Sequence, residues 1–442
     1  MRFAIALPLA LTLALAARPA AAEDLYVDAS QPPGNGSPGS PYQTISAAVA
    51  RARNDRLTGA VPDSETIVVH VRAGEYFGSY DKKGPGIIEP LPILLDVPNL
   101  EMRGDTVLTL DAYGWPTGAV NGTETSFTAT PFLGGGFPPD RFMFLVGPTS
   151  DRLTGADVTI DGFVLDGGMT GAKLNGVAIG LDRVASASIA GNVITRAHFA
   201  VFARASTAAI LGNFIHDCFV GPVLNAGPAT SPASYLFQDN RSVRNDEAGV
   251  TLWATGVVHT WDPALISVPA DAVYDTNHAD VIHNDLSDND FFGGGAAGIL
   301  CAMYVPVLHA GHATAHLTVD VEGNRIAGNT IGIVVDAGFS WRANAQPLTA
   351  TFHGTFANNE VTANDLAPAL VTFNRTAAAL KLNPSALKSY KYLEDSLYEL
   401  IVDDDELAGF WYDNPASDPV SDVVLDNILL VNGVSLDGRN FP

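Results

Sequence analysis

The chain has 442 residues, of which 47% are hydrophobic and only 16% charged, a composition that excludes a disordered or fibrous protein. Its 24 Lys and Arg against 48 Asp and Glu leave a net charge of -24. Such a surface repels phosphate backbones and anionic lipid, so no nucleic-acid partner is expected. With 42 glycines and 28 prolines the chain suits short strands and frequent corners better than long helices.

Residues 1–22 read as an export signal: Arg2, an apolar run from Phe3 to Ala17, and small residues Ala20-Ala21-Ala22 ahead of Glu23-Asp24. Cleavage is expected after Ala22, which implies secretion to the periplasm or beyond. The apolar run is shorter than the ~20 residues of a membrane span, and no later stretch reads as an integral membrane segment. Residues 23–442 then form a single domain. Its first strands are Leu25-Tyr26-Val27-Asp28 and Ile67-Val68-Val69-His70-Val71. Between them Ile45, Ala48, Val49 and Ala52 share one helical face, which predicts a capping helix over 44–54.

From there a frame recurs: an apolar residue, Asn three positions on, and an apolar residue two beyond. It appears as Ile189/Asn192/Ile194, Ile210/Asn213/Ile215, Val281/Asn284/Leu286, Val321/Asn324/Ile326, Phe356/Asn359/Val361 and Val424/Asn427/Leu429. Phe237/Asn240 fits the first half, and Ile160/Phe163/Leu165 places Phe in the Asn slot. Asn suits a sharp corner because it tolerates left-handed backbone and its amide bonds neighbouring peptides. A glycine-containing strand follows at a near-constant offset, as in Gly249-Val250-Thr251-Leu252, Gly298-Ile299-Leu300-Cys301 and Gly332-Ile333-Val334-Val335, with Pro222-Val223-Leu224 as a looser version. Three short strands per coil, stacked ~4.8 Å apart, describe a solenoid of parallel sheets. Only one corner varies in length, with insertions at about 254–278, 302–316, 337–351 and 373–422. Cys218 and Cys301 fall two coils apart, ~9.6 Å, too far for a disulfide.

This pattern resembles the secreted bacterial right-handed parallel β-helix proteins of the pectate-lyase-like superfamily, over roughly Asp24 to Gly433. The resemblance implies an all-β, right-handed parallel β-helix, and it leaves lyases, hydrolases, epimerases, adhesins and inert scaffolds open. Pectate-cleaving relatives carry Ca²⁺-binding carboxylates and a basic residue outward on the glycine-containing strand. Here the expected outward positions are Ala178, Phe202, Leu224, Thr251, Leu300, Val334 and Leu370, an apolar strip that requires covering and cannot hold calcium. Arg204, Trp253 and Asp336 are the polar or aromatic outward neighbours, scattered over several coils.

Chemistry is therefore expected at the variable corner. Trp253 stands at the edge of one insertion and Trp261, Trp341, Trp411 and Tyr412 lie within others, a supply of flat rings suited to sugar faces. Packing of long loops onto the solenoid explains the same rings equally well. Asp262 and Asp413, beside Trp261 and Tyr412, are the candidate catalytic carboxylates. His309, His312 and His316 lack a metal-binding frame, so no metal ligands are assigned. Ca²⁺ stays open as a cofactor at Asp403-Asp404-Asp405-Glu406, a run without the loop spacing that orients oxygen ligands. Leu393, Leu397, Leu400 and Ile401 ahead of it read as one face of a helix. Two functional readings follow. One is an exported protein that binds extracellular polysaccharide or cell-surface glycan and, as an enzyme, would be a polysaccharide lyase or glycoside hydrolase. The other is a non-catalytic surface or adhesion scaffold.

Overall fold

The computed structural model describes residues 21–79, 88–129, 142–147, 156–169, 176–228, 231–254, 274–289, 297–304, 313–339, 348–364, 367–373, 397–403, 411–413, 430–431 and 434–435. Residues 1–20 of the expected 1–22 signal segment, together with Trp261, Asp262, His309, His312, Trp341 and Asn427, lie outside these residues.

Each coil runs through three short strands. Ala187–Ala190, Val193–Thr195 and Phe199–Arg204 make one coil, and Thr207–Leu211, Phe214–His216 and Val223–Asn225 make the next. Equivalent strands pair in parallel, so among the described residues the coils build a first sheet of 12 strands, one of them the antiparallel Gly227–Pro228 off its path, a second of 7 that ends at Arg241–Val243, and a third of 10; Arg325–Ala327 and Glu360–Thr362 pair separately. The fold is the right-handed parallel β-helix expected, the hand that parallel crossovers almost always take. Inward residues form one continuous core. Ile160, Ile189, Ile210, Phe237, Val281, Val321 and Phe356 are successive register partners in the first sheet, and all are buried.

The corner between the first two sheets is held by a side-chain ladder. The backbone N–H and Nδ2 of Asn213 donate to Asn240 Oδ1 at 2.9 and 3.0 Å, and Asn240 does the same to Asn284 at 2.9 and 3.1 Å. The ladder runs from Asn192 to Asn359 and stops at Phe163, whose N–H donates to Asn192 Oδ1. The left-handed residue is not Asn, as expected, but the one before it: Gly191 (φ 61), Gly212 (59), Asp239 (56), His283 (53), Gly323 (65) and Asn358 (54). Asn is needed there for its amide, which ties consecutive coils together.

A second ladder, five residues further on, escaped the sequence reading. Asn245, Asn289, Asn329 and Asn364 repeat the same bonding, with Cys218 in the leading slot donating its N–H to Asn245 Oδ1 at 3.1 Å. Cys218 and Cys301 are buried free thiols, as their spacing required.

The cap is a helix, α1, over Ile45–Thr58, longer than the expected 44–54. Thr44 caps its start by accepting the Ala47 N–H, and Glu89 accepts the otherwise unpaired N–H groups of Ile45 and Ser46. Gly59, at φ 72, ends it. Ile45, Ala48, Val49 and Ala52 are buried in the solenoid core, so the helix plugs the open end.

Strands run further into the variable corner than the sequence suggested. Tyr274–Ile282, Ala297–Tyr304, Ala313–Glu322, Ile331–Phe339 and Leu348–Ala357 have 8 to 10 residues each and take up the ends of the expected insertions, at 274–278, 302–304, 313–316, 337–339 and 348–351. The stretch 373–422 is not one insertion. Leu397–Asp403 joins the first sheet beside Leu348–Ala357, and Trp411–Asp413 joins the third beside Ala367–Phe373. The helix face expected at Leu397, Leu400 and Ile401 is therefore a strand, since the sheet edge next to it supplies a row of partners that helical spacing alone does not reveal. One further element is a hairpin, Leu108–Leu110 paired antiparallel with Pro116–Val120, laid over the outer face of the second sheet. Leu108 packs there with Val164, Val193, Phe214 and Val243, and Trp115 Nε1 donates to the His283 carbonyl at 2.8 Å. Gly118 is required at that contact, because a Cβ would sit 2.4 Å from the Phe214 ring.

Candidate functional site

The outer face of the third sheet gathers most of the candidate residues that the structure describes. Alternation along a strand sends every second residue outward, so parallel register turns each outward position into a row running along the solenoid. Two such rows lie side by side.

The first row is Leu145, Gly180, Phe202, Val223, Thr251, Leu300, Val334, Leu370 and Trp411. It corrects two expected positions. Leu224 points into the core, with Val223 outward, because Gly221 and not Pro222 matches Gly249 and the alignment shifts by one. Ala178 likewise packs in the main core. The strip is apolar, as expected, and buried: Phe202, Thr251, Leu300 and Val334 are all 7% exposed or less. Phe142, Phe199 and Phe202 build one covering cluster and Ala297, Leu300 and Val334 another, with Trp253 packed against both. The Thr251 hydroxyl is buried in this strip without a hydrogen-bond partner among the described residues.

The second row is Asp182, Arg204, Asn225, Trp253, Ala302, Asp336, Thr372 and Asp413, at the edge facing the variable corner. Arg204, Trp253 and Asp336, which looked scattered in sequence, therefore share one line, and Asp413 joins them. Arg204 is buried, and its Nε donates to Asp182 Oδ1 at 2.9 Å. Burial holds the guanidinium pKa below its ordinary value, and the Asp182 carboxylate opposes the shift. The row is braced from inside, because Tyr235 donates its hydroxyl to the Asn225 carbonyl at 2.7 Å and Asn277 Nδ2 donates to the Trp253 carbonyl at 3.1 Å. Trp253 is half-buried and meets Phe202 edge-on at 6.2 Å.

Two expected sugar contacts, Trp411 and Tyr412, lie with Asp413 on a strand of the third sheet. Trp411 pairs with Leu370, Tyr412 with Val371 and Asp413 with Thr372.

At the opposite edge of the third sheet, the corner that leads into it carries His198, Phe219 and Glu247 on consecutive coils. Val220 N–H donates to the His198 carbonyl at 2.8 Å and Glu247 N–H to the Phe219 carbonyl at 2.9 Å. The His198 and Phe219 rings stack at 4.9 Å. Burial pushes the His198 imidazole down to about 4, which keeps it neutral. The Glu247 carboxyl is pushed up to about 7, first by desolvation and then by the adjacent Asp246 charge. Neither residue was singled out from the sequence, where nothing marks a corner residue as buried.

A metal-capable grouping lies on a different face: His278, Asp280 and Asp320, outward on the first sheet, have ligand atoms within 4.8 Å of one another. No helix among the described residues is long and apolar enough to cross a membrane.

No protein-family model matches the sequence, and no curated protein matches it. The chain is similar to solved structures only at a distance. DFA-IIIase from Arthrobacter chlorophenolicus A6 in complex with GF2 is 13% identical, with 79% of this chain and 92% of that chain covered and a TM-score of 0.39. The Azotobacter vinelandii mannuronan C-5 epimerase AlgE6 A-module is 12% identical, with 86% and 88% covered and a TM-score of 0.36. Geobacillus virus E2 ORF18 is 11% identical with a TM-score of 0.37; the match takes in 70% of this chain and spans about half of that one, 54%. Likenesses this distant assign no activity to this chain.

Proposed function

We propose that this is an exported β-helix protein of the pectate-lyase-like kind that binds extracellular polysaccharide along the outer edge of its third sheet. The observation that carries the reading is the register row, which lines up Trp253, Asp336, Thr372 and Asp413 beside the variable corner. A half-buried indole offers a face for a sugar ring, and Asp and Thr at successive register positions are residue types that hydrogen-bond sugar hydroxyls. Asp336 and Asp413 are two coil steps apart, ~9.6 Å between backbones, close to the ~6.5–9.5 Å carboxyl separation of inverting glycoside hydrolysis. They are the candidate pair for cleavage, in place of the Asp262 and Asp413 pairing.

The test is a panel of neutral and acidic polysaccharides, assayed for binding and for release of reducing ends with the purified mature protein and with Asp336→Asn and Asp413→Asn. Loss of cleavage in both variants, with binding weakened several-fold and the thermal midpoint unchanged, supports the reading. Binding and cleavage equal to the parent in both would remove the row from the site. A parent that binds nothing in the panel would favour the scaffold reading, which the buried apolar strip already suits.

A further inference from the structure

We infer that His278, Asp280 and Asp320 form a binding site for a divalent transition-metal ion of the Zn²⁺ class on the outer face of the first sheet. His278 and Asp280 are alternate residues of Tyr274–Ile282, and Asp280 and Asp320 are direct register partners on adjacent parallel strands. The flanking residues Asn277, Ala279 and Val281 are buried, so the alternation fixes both His278 and Asp280 outward. The three ligands therefore rise from two rigid strands.

The geometry suits a small N/O-liganded ion. His278 Nε2 and Asp280 Oδ1 stand 3.4 Å apart, which matches the ~3.4 Å edge of a tetrahedron with ~2.1 Å bonds. All three ligand atoms lie within 4.8 Å, so a rotation of about 1 Å at one carboxylate closes the set. One imidazole with two carboxylates selects Zn²⁺-like ions over Ca²⁺, which takes oxygen ligands.

The electrostatics point the same way. Asp280 and Asp320 face each other directly across the strands, an arrangement of like charges that costs stability without a cation between them. The other titratable groups outward on the neighbouring strand are His316 and Glu322, while the strand on the other side presents Ser234, Leu236 and Gln238.

The test uses the full mature chain, stripped with a chelator and titrated with ZnCl2 by calorimetry, with Co²⁺ absorption as a second readout. One equivalent should bind, and His278→Ala or Asp320→Asn should each lower affinity by at least ~10-fold. Circular dichroism of both variants should match the parent, since both side chains are partly exposed. His283→Ala, which breaks a pair with Asp239 and a ring contact with Trp115 outside the three-ligand set, should bind Zn²⁺ as the parent does. Zn²⁺ binding unchanged in a folded His278→Ala/Asp320→Asn double variant overturns the assignment. So does a parent that binds Ca²⁺ but no Zn²⁺.

Discussion

Replacing Asn240 with Ala tests how the coils are held together. Asn240 is fully buried in mid-ladder. Its Oδ1 accepts the Asn213 backbone N–H at 2.9 Å, and its Nδ2 donates to the Ile210 carbonyl at 2.8 Å. Ala keeps the Asn240 backbone bond to Asn284 but strands the Asn213 N–H and removes the donor from Ile210. Two buried groups at ~1–3 kcal/mol each give a loss of ~2–6 kcal/mol, a large share of the ~5–15 kcal/mol that holds a typical protein folded. Urea unfolding followed by circular dichroism should show the midpoint fall by that amount. Asn240→Asp sharpens the test, since it keeps an acceptor for Asn213 but turns a second oxygen toward Asn284 Oδ1. Its buried carboxyl should have a folded pKa above its unfolded ~3.9, so the variant should be most stable when protonated and lose stability as pH rises from ~4. A stable Asn240→Ala protein, within ~0.5 kcal/mol of the parent, would refute the claim that the ladder is structural.

Val321→Asp buries a carboxylate in the first-sheet stack, where Val321 is 1% exposed, and should cost on the order of 3 kcal/mol or more by chemical denaturation. The low pKa of His198, about 4, means the folded state resists protonation; its contribution is full above ~6.5 and is lost as pH falls toward 4. His198→Gln should therefore flatten the acid limb of the stability profile. Glu247 has the opposite sign: with a folded pKa of about 7, its contribution is full below ~4.3 and is lost as pH rises through 7. Glu247→Gln should accordingly gain stability over the parent at pH 8 and none at pH 4. Trp115→Ala removes a nearly buried ring and its bond to the His283 carbonyl, and should cost ~3–5 kcal/mol while leaving any third-sheet ligand binding intact.

The solenoid was legible because its signals are local. The apolar-Asn-apolar frame spans six residues, and Ile45, Ala48, Val49 and Ala52 announce the cap by spacing alone. The second ladder escaped that reading although its signal is equally local, in Asn240/Asn245, Asn284/Asn289, Asn324/Asn329 and Asn359/Asn364, all five residues apart. What else stayed hidden depends on pairing between coils of unequal length. Trp253 and Asp336 share a row only because 83 residues of chain return to register. Asp280 meets Asp320 across a 40-residue return for the same reason. The hairpin around Trp115 reaches His283 across 168 positions, a contact no periodicity encodes. Loop and strand look alike in the Trp411-Tyr412-Asp413 triplet; only the partner strand at Leu370–Thr372 shows it to be a strand.

The central claim is the register of the third-sheet row, and disulfide trapping measures it most directly. Asp336 and Thr372 are register partners, ~4.8 Å apart by strand spacing and inside disulfide reach, whereas Asp336 and Asp413 are two steps, ~9.6 Å, apart. The parent should titrate two free thiols after mild oxidation and denaturation, from Cys218 and Cys301. The Asp336→Cys/Thr372→Cys variant should also titrate about two, its new pair having closed, and Asp336→Cys/Asp413→Cys should titrate about four. Four free thiols in the first variant together with two in the second would contradict the row and the site built on it.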